Sequence, residues 1–264
     1  MFLMPSLGIY ALALGLVCGG LIELIILGIS LKKQKIPLLP KWNKFDHNLQ
    51  EIASQYAPIA AGSFLMCSTN LVDQSMAATL AAGSVSALSY ADRIIALPLS
   101  LTTLALGTAV IPYFSKTIAK REWTQVQYTF RYYLKLIFLI GIPLAMLLFF
   151  GSNTIVRALF ERGSFTSSDT AIVAPIQASY ALQIPFYIAS ILVVRLVNSL
   201  GINHILAWGS AINLSVNIIA NYVFLKLFGI KGIALSTSLV YVVSFVFLFI
   251  ISQRHLNKII KSEQ

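Results

Sequence analysis

Five ionisable side chains lie inside long apolar stretches of this sequence: Glu23, Asp73, Asp92, Arg93 and Arg195. A charge buried in hydrocarbon costs about 3 kcal/mol or more, and such residues usually mark an ion or substrate path. Asp92 and Arg93 are neighbours, so on a helix they cannot face each other. At least one must find a partner elsewhere or point into a cavity. Pro98 follows and frees the carbonyl of Ile94. An arginine in a wet cavity beside irregular backbone suits phosphate, because its planar fork donates two parallel hydrogen bonds. The plainer reading is an ion pair with a carboxylate on another helix.

Asp73 lies in the stretch N70-L-V-D-Q74. Asn213, Asn217 and Asn221 are each four residues apart and stripe one helical face. Amide oxygens can ligate a hard cation and a carboxylate supplies the charge. Thr237 and the backbone around Ile233 could complete a cage for sodium. Interhelical hydrogen bonding is the alternative, since polar side chains in membrane bundles commonly do that. Arg195 sits near the inner end of its apolar run, where it could snorkel to the interface. Glu23 could pack against the bundle.

These residues need helices to position them. The chain has 264 residues, 58% apolar and only 11% charged. Its mean hydropathy is +0.82. A soluble domain carries about 25% charged residues, so a soluble enzyme and a disordered chain are excluded. An all-α polytopic membrane protein is expected. Seven apolar runs are long enough to span a bilayer: 6–31, 57–80, 84–115, 132–150, 170–199, 204–225 and 230–252. Prolines 98, 112, 143, 175 and 185 predict bends.

The net charge of +10 raises nucleic-acid binding as a possibility. The positions of the basic residues argue against it. Twelve of the 19 Lys and Arg fall in three segments on one side: 32–44, 116–131 and 254–261. Four fall on the other side: Arg157, Arg162, Lys226 and Lys231. The positive-inside rule then places the C-terminus in the cytoplasm and the N-terminus outside. No Lys or Arg precedes the first run, which excludes a signal peptide. Amphipathic spacing at Leu49–Tyr56, Trp123–Phe130 and Leu256–Ile260 predicts helices lying at the headgroups; the first reads equally as a helix extended past the membrane.

Seven runs that enter from outside read as a chain whose front is missing. The expected organisation is a last helix of a preceding lobe (1–31), a cytoplasmic loop with an interfacial helix (32–56), a six-helix lobe (57–252) and a cytoplasmic tail (253–264). Repeated bundles of this kind are common in transporters. No H-E-x-x-H, G-x-S-x-G or P-loop occurs, so catalysis and ATP hydrolysis are not expected. Cys18 and Cys67 read as buried, inert thiols, and no Cys/His spacing predicts a metal centre.

The stretch G83-S-V-S-A-L-S-Y-A-D-R-I-I-A-L-P-L-S-L-T-T-L-A-L-G-T-A-V-I-P-Y-F-S115 resembles the signature of the MurJ/MviN lipid II flippases, members of the multidrug/oligosaccharidyl-lipid/polysaccharide exporter superfamily. L159-F-E-R-G-S-F165 and the pattern from Asn213 to Thr237 resemble further family motifs. The resemblance covers nearly the whole chain and corresponds to the family's sixth to twelfth helices. It implies translocation of undecaprenyl-diphosphate-linked peptidoglycan precursor across the bacterial inner membrane. It assigns Ser86, Asp92 and Arg93 to the central cavity. It assigns Asp73, Asn217, Asn221 and Thr237 to a cation site. Sodium is the candidate coupling ion from the residues themselves, and no other cofactor is expected. Position 221 is Asn here and Asp in some members, which removes one charge. The family's first lobe, with its cavity arginines, and its two extra helices have no counterpart in the sequence. The chain alone is therefore not expected to flip lipid. The rival readings are an O-antigen or polysaccharide flippase and an inactive membrane scaffold.

Overall fold

The structure, a computed structural model, describes residues 10–34 and 47–262. Within them are nine helices and no strand. They are α1 (Tyr10–Lys33), α2 (His47–Ala78), α3 (Ser84–Ala119), α4 (Trp123–Phe150), α5 (Ser152–Phe160), α6 (Ser167–Ala181), α7 (Ile184–Ser199), α8 (His204–Phe228) and α9 (Ile230–Ser262). Long apolar runs with few charges fold this way because a helix satisfies every backbone polar group within its own segment. Two compact units result, Met1–Glu51 and Ile52–Gln264. In the first, α1 exposes Leu14, Val17, Leu21, Leu24 and Ile25. Cys18 of α1 and Cys67 of α2 are exposed as well, which corrects the expectation of buried thiols. The loop lysines 35, 41 and 44 lie outside the described residues.

Four helices among the described residues are long and apolar enough to cross a membrane: α3, α4, α8 and α9. The pair α6 and α7 makes a fifth if taken as one bent span. That count covers four to five of the seven expected spans. The runs at 6–31 and 57–80 are helical in their described parts, as α1 and α2, but fall outside it. The bend between α6 and α7 is 41° and sits where Pro185 enters the first turn of α7. Proline is tolerated there because that N–H has no intrahelical partner. The other prolines inside helices, 98, 112, 143 and 175, leave theirs continuous.

The second unit is built around α7. Ile184, Leu192 and Leu196 of that helix are fully buried, as are Ile95 and Phe114 of α3 and Phe130 of α4. α3 packs on α6 and α7, α4 on α7, and α9 on α8, α7 and α6.

Two of the expected headgroup helices are corrected here. Residues 123–131 form the start of α4, and 256–260 the end of α9. No Gly or Pro lies between Trp123 and Ile140 or after Gly232 to stop these helices. Part of each apolar face is covered by protein. Val126, Phe130 and Leu256 are fully buried. Phe130 stacks on Phe249 with ring centroids 6.1 Å apart, and Gln127 Nε2 donates to Asn257 Oδ1 at 2.9 Å. The third predicted helix is the start of α2, continuous with the following run.

One glycine is required by contact. α9 turns back on α8 through Gly229, whose φ is +64. A Cβ on Gly232 would then collide with the Phe224 carbonyl. The approach brings Thr237 level with Asn217 and Asn221. Gly232→Ala should therefore destabilise the protein by about 1–3 kcal/mol, the usual cost of overpacking. A thermal melt that matches wild type would show that the α8–α9 turn yields freely.

Candidate functional site

Asp73 lies about seven turns along α2 and is 7% exposed. Asn217 and Asn221, one turn apart on α8, are 1% and 0% exposed. Both amides turn toward the carboxylate. Asn217 Nδ2 donates to Asp73 Oδ1 at 2.9 Å and Asn221 Nδ2 at 2.6 Å. Asn221 Nδ2 also reaches Asn217 Oδ1 at 3.3 Å. From α9, the Thr237 hydroxyl donates to Asp73 Oδ2 and to the Ile233 carbonyl, each at 3.1 Å. Ser236 steadies the arrangement by donating to the Asn217 carbonyl at 3.3 Å. The five residues singled out for a cation thus meet at one point, although 164 residues separate the most distant pair.

As placed, both amides present Nδ2 to Asp73, so the carboxylate is satisfied by hydrogen bonds. A hard cation takes oxygen ligands, which the carboxylate and the Thr237 hydroxyl offer and the amides offer only on rotation. The Asn221 Oδ1 atom is buried and has no hydrogen-bond partner. Leaving such an acceptor unsatisfied costs about 1–3 kcal/mol. Rotating that amide exchanges Nδ2 for Oδ1 beside the carboxylate, so the same side chain can either donate to Asp73 or join it as an oxygen ligand. Among the described residues no three His, Cys, Asp or Glu cluster as a metal group.

A cavity of about 630 Å³ opens beside this cage. Asp73 and Thr237 form part of its wall, with Asp92, Tyr180, Gln183 and Tyr241. Tyr187 lines it too, and sequence reasoning missed all three tyrosines and the glutamine. Their signal was a polar tip within apolar runs, which a bundle must either satisfy or turn toward a cavity.

The residues assigned to substrate are spread along α3 and α7. Asp92 lines the large cavity. Ser86 lines a different one of about 550 Å³, with Ser164 and Asp169. Arg93 is exposed, and its guanidinium carbon lies 5.9 Å from the Tyr90 ring centroid. It makes no ion pair with Asp92, as their adjacent helical positions require. Arg195 stands across from Gly107, where a Cβ would lie 3.6 Å from its Nη2, and its Nε has no partner. Tyr90 joins two of the sequence motifs in space. Its ring meets Phe160 at 5.0 Å and Phe165 at 5.3 Å, both edge-on.

A family model described as lipid II flippase MurJ matches residues 1–263. The chain belongs to the MurJ family. A probable lipid II flippase MurJ of Helicobacter pylori is 31% identical over 238 residues, covering 88% of this chain and 50% of the relative. The Vibrio cholerae counterpart is 28% identical over 243 residues, covering 89% and 44%. Among solved structures, a lipid II flippase MurJ in an inward closed conformation superposes with TM-score 0.74 at 25% identity, over 98% of this chain and 54% of that one. A transporter of the MOP superfamily from Pyrococcus furiosus shares the fold at TM-score 0.65 and 16% identity. The chain spans about half the length, or less, of the curated MurJ relatives it matches.

Proposed function

We propose that this chain forms one lobe of a flippase that moves lipid II, a polyprenyl-diphosphate glycolipid, across the bacterial inner membrane by alternating access. The C-terminus lies in the cytoplasm. A second lobe completes the substrate path, and sodium bound at Asp73 is the coupling ion. One observation carries the reading. Asp73 and Thr237 belong both to the oxygen cage and to the wall of the 630 Å³ cavity, which Asp92 also lines.

That shared wall gives a means of coupling. When a cation sits at Asp73 it cancels the carboxylate charge that the cavity otherwise presents. An anionic headgroup then meets Asp92 alone, not two carboxylates. Arg93 and Arg195 supply positive charge from outside that wall, and Ser86 a hydroxyl from the separate 550 Å³ cavity. When the site releases its ion, the charge returns and disfavours the anion. Substrate and ion so bias the same conformational equilibrium, as linkage requires.

The test joins this chain to the N-terminal half of the Helicobacter pylori relative and expresses the whole in cells depleted of their lipid II flippase. Restored growth is expected. No rescue by a well-expressed membrane-inserted protein would favour the scaffold reading. Rescue of O-antigen export but not of growth would favour the polysaccharide substrate.

A further inference from the structure

A second cavity of about 390 Å³ lies behind the first, between α2, α7, α8 and α9. Three observations set it apart from a packing defect. First, its buried oxygens are unsatisfied. Ser190 is 7% exposed, and its Oγ has no hydrogen-bond partner. Neither have Asn203 Oδ1 and Asn213 Oδ1. Second, its polar lining continues the cation cage. Asn213 lies one helical turn before Asn217 on the same face of α8, about 6 Å along the axis, and donates to Ser244 of α9 at 3.0 Å. Third, the two cavities share two walls. Tyr187 and Tyr241 line both, and their rings meet edge-on with centroids 4.9 Å apart.

The helical registers make this a column. Gln183, at the start of α7, faces the first cavity; on α7, Tyr187 faces both, and Ser190, Val194 and Asn198 the second. On α9, Thr237 faces the first, Tyr241 both, and Ser244 and Leu248 the second. Each series follows steps of three or four, one face of a helix. The second cavity ends at Asn198 and Asn203, on either side of the α7–α8 turn.

We infer that this cavity is a hydrated passage for a monovalent cation, leading from the Asp73 cage to the α7–α8 turn and closed by the Tyr187–Tyr241 pair. The inference rests on the reading of Asp73 as a cation ligand. Unsatisfied neutral oxygens replace part of an ion's hydration without holding it. A site that must release its ion needs that combination, favourable entry with weak binding. A carboxylate in the passage would trap the ion, and none lines it.

Cysteine accessibility tests the passage in sealed vesicles, with Cys18 and Cys67 first replaced by Ser. Ser190→Cys is nearly isosteric. Ile188→Cys, two residues away at a position 4% exposed, is the dry reference. His204→Cys, exposed in the same turn, reports which side of the membrane that turn occupies. A small trimethylammonium methanethiosulfonate reagent applied from the His204 side should modify Ser190→Cys about tenfold or more faster than Ile188→Cys, because reaction follows access to the thiolate. From the opposite side it should not. Adding Tyr187→Ala should make Ser190→Cys reactive from both sides.

Equal inertness of the 190 and 188 thiols would overturn the passage. So would modification by a neutral methanethiosulfonate alone, which marks a dry apolar pocket. Reactivity from both sides before Tyr187 is changed, or unaltered sidedness afterwards, would remove the tyrosine closure. The sodium-dependent melting shift is measured separately. Its absence would overturn the cation reading, and with it the cargo of the passage, whatever the thiols show. Its presence with an inert Ser190→Cys would leave the cation site standing and the passage refuted.

Discussion

Replacing Asp73 with Asn should abolish the effect of sodium on the thermal stability of the purified protein. A ligand that binds only the folded state stabilises by mass action, about 2.7 kcal/mol at a hundred times its dissociation constant. For a lobe of this size that is a rise of about 5–10 °C. Potassium or choline chloride at the same ionic strength controls for screening of surface charge. The wild-type protein should show the sodium-specific rise and Asp73→Asn should not.

The baseline without sodium separates the two accounts of the cage. Burying an uncompensated carboxylate is costly. If Asp73 is a cation ligand, the neutral Asn should melt in sodium-free buffer at or above the wild-type temperature. If Asp73 serves only to accept from Asn217, Asn221 and Thr237, the substitution should lower the melt by several degrees, and sodium should not distinguish the two proteins. Asn221→Asp adds a second carboxylate beside the first and should strengthen the sodium response. A weaker response would show that the neutral amide is what the site requires.

The cage was legible in the sequence and the cavities were not, for a physical reason. Asn213, Asn217 and Asn221 repeat every four residues, so one helix places them on one face wherever it lies. An acidic residue in an apolar run must find partners, and few uncommitted polar groups are available. The residues can therefore be matched without coordinates. The positions of Arg93, Ser86 and Arg195 depend on helix rotation and crossing, which no local pattern encodes. Ser86 and Asp92 are six residues apart on one helix, yet they open onto different cavities. The membrane-surface helices failed for a related reason. Amphipathic spacing at Trp123–Phe130 and Leu256–Ile260 shows that a face will be buried and leaves open whether lipid or protein buries it. Phe130 against Phe249 settles that in favour of protein. Tyr187 and Tyr241 are 54 positions apart, and their pairing follows from α9 packing on α7.

Arg93 should prove essential in the protein completed by an N-terminal half, with Arg93→Ala losing rescue of flippase-depleted cells. A diphosphate crossing the membrane interior needs its charge matched, because bare charge there is costly. The large cavity has two carboxylates in its wall and no basic side chain. The basic side chain on this stretch of α3 is Arg93, one position past Asp92 and outside that wall. Its guanidinium is exposed and forms no ion pair with Asp92. The Tyr90 ring, 5.9 Å away, holds it by a cation–π contact of about 0.5–1 kcal/mol. That is less than a charge-assisted hydrogen bond to phosphate, about 1.5–3 kcal/mol, so a phosphate can draw the arginine from the ring. Loss of that bond alone should slow flipping about tenfold to a hundredfold. Arg93→Lys keeps the charge and loses the bidentate fork, and should rescue partially. Tyr90→Leu removes the ring and leaves the guanidinium in place. If Arg93 acts only by packing on Tyr90, then Arg93→Ala and Tyr90→Leu should share one phenotype, a lowered melting temperature with growth restored. If it meets the diphosphate, Arg93→Ala should melt within a few degrees of wild type and fail to rescue, while Tyr90→Leu restores growth.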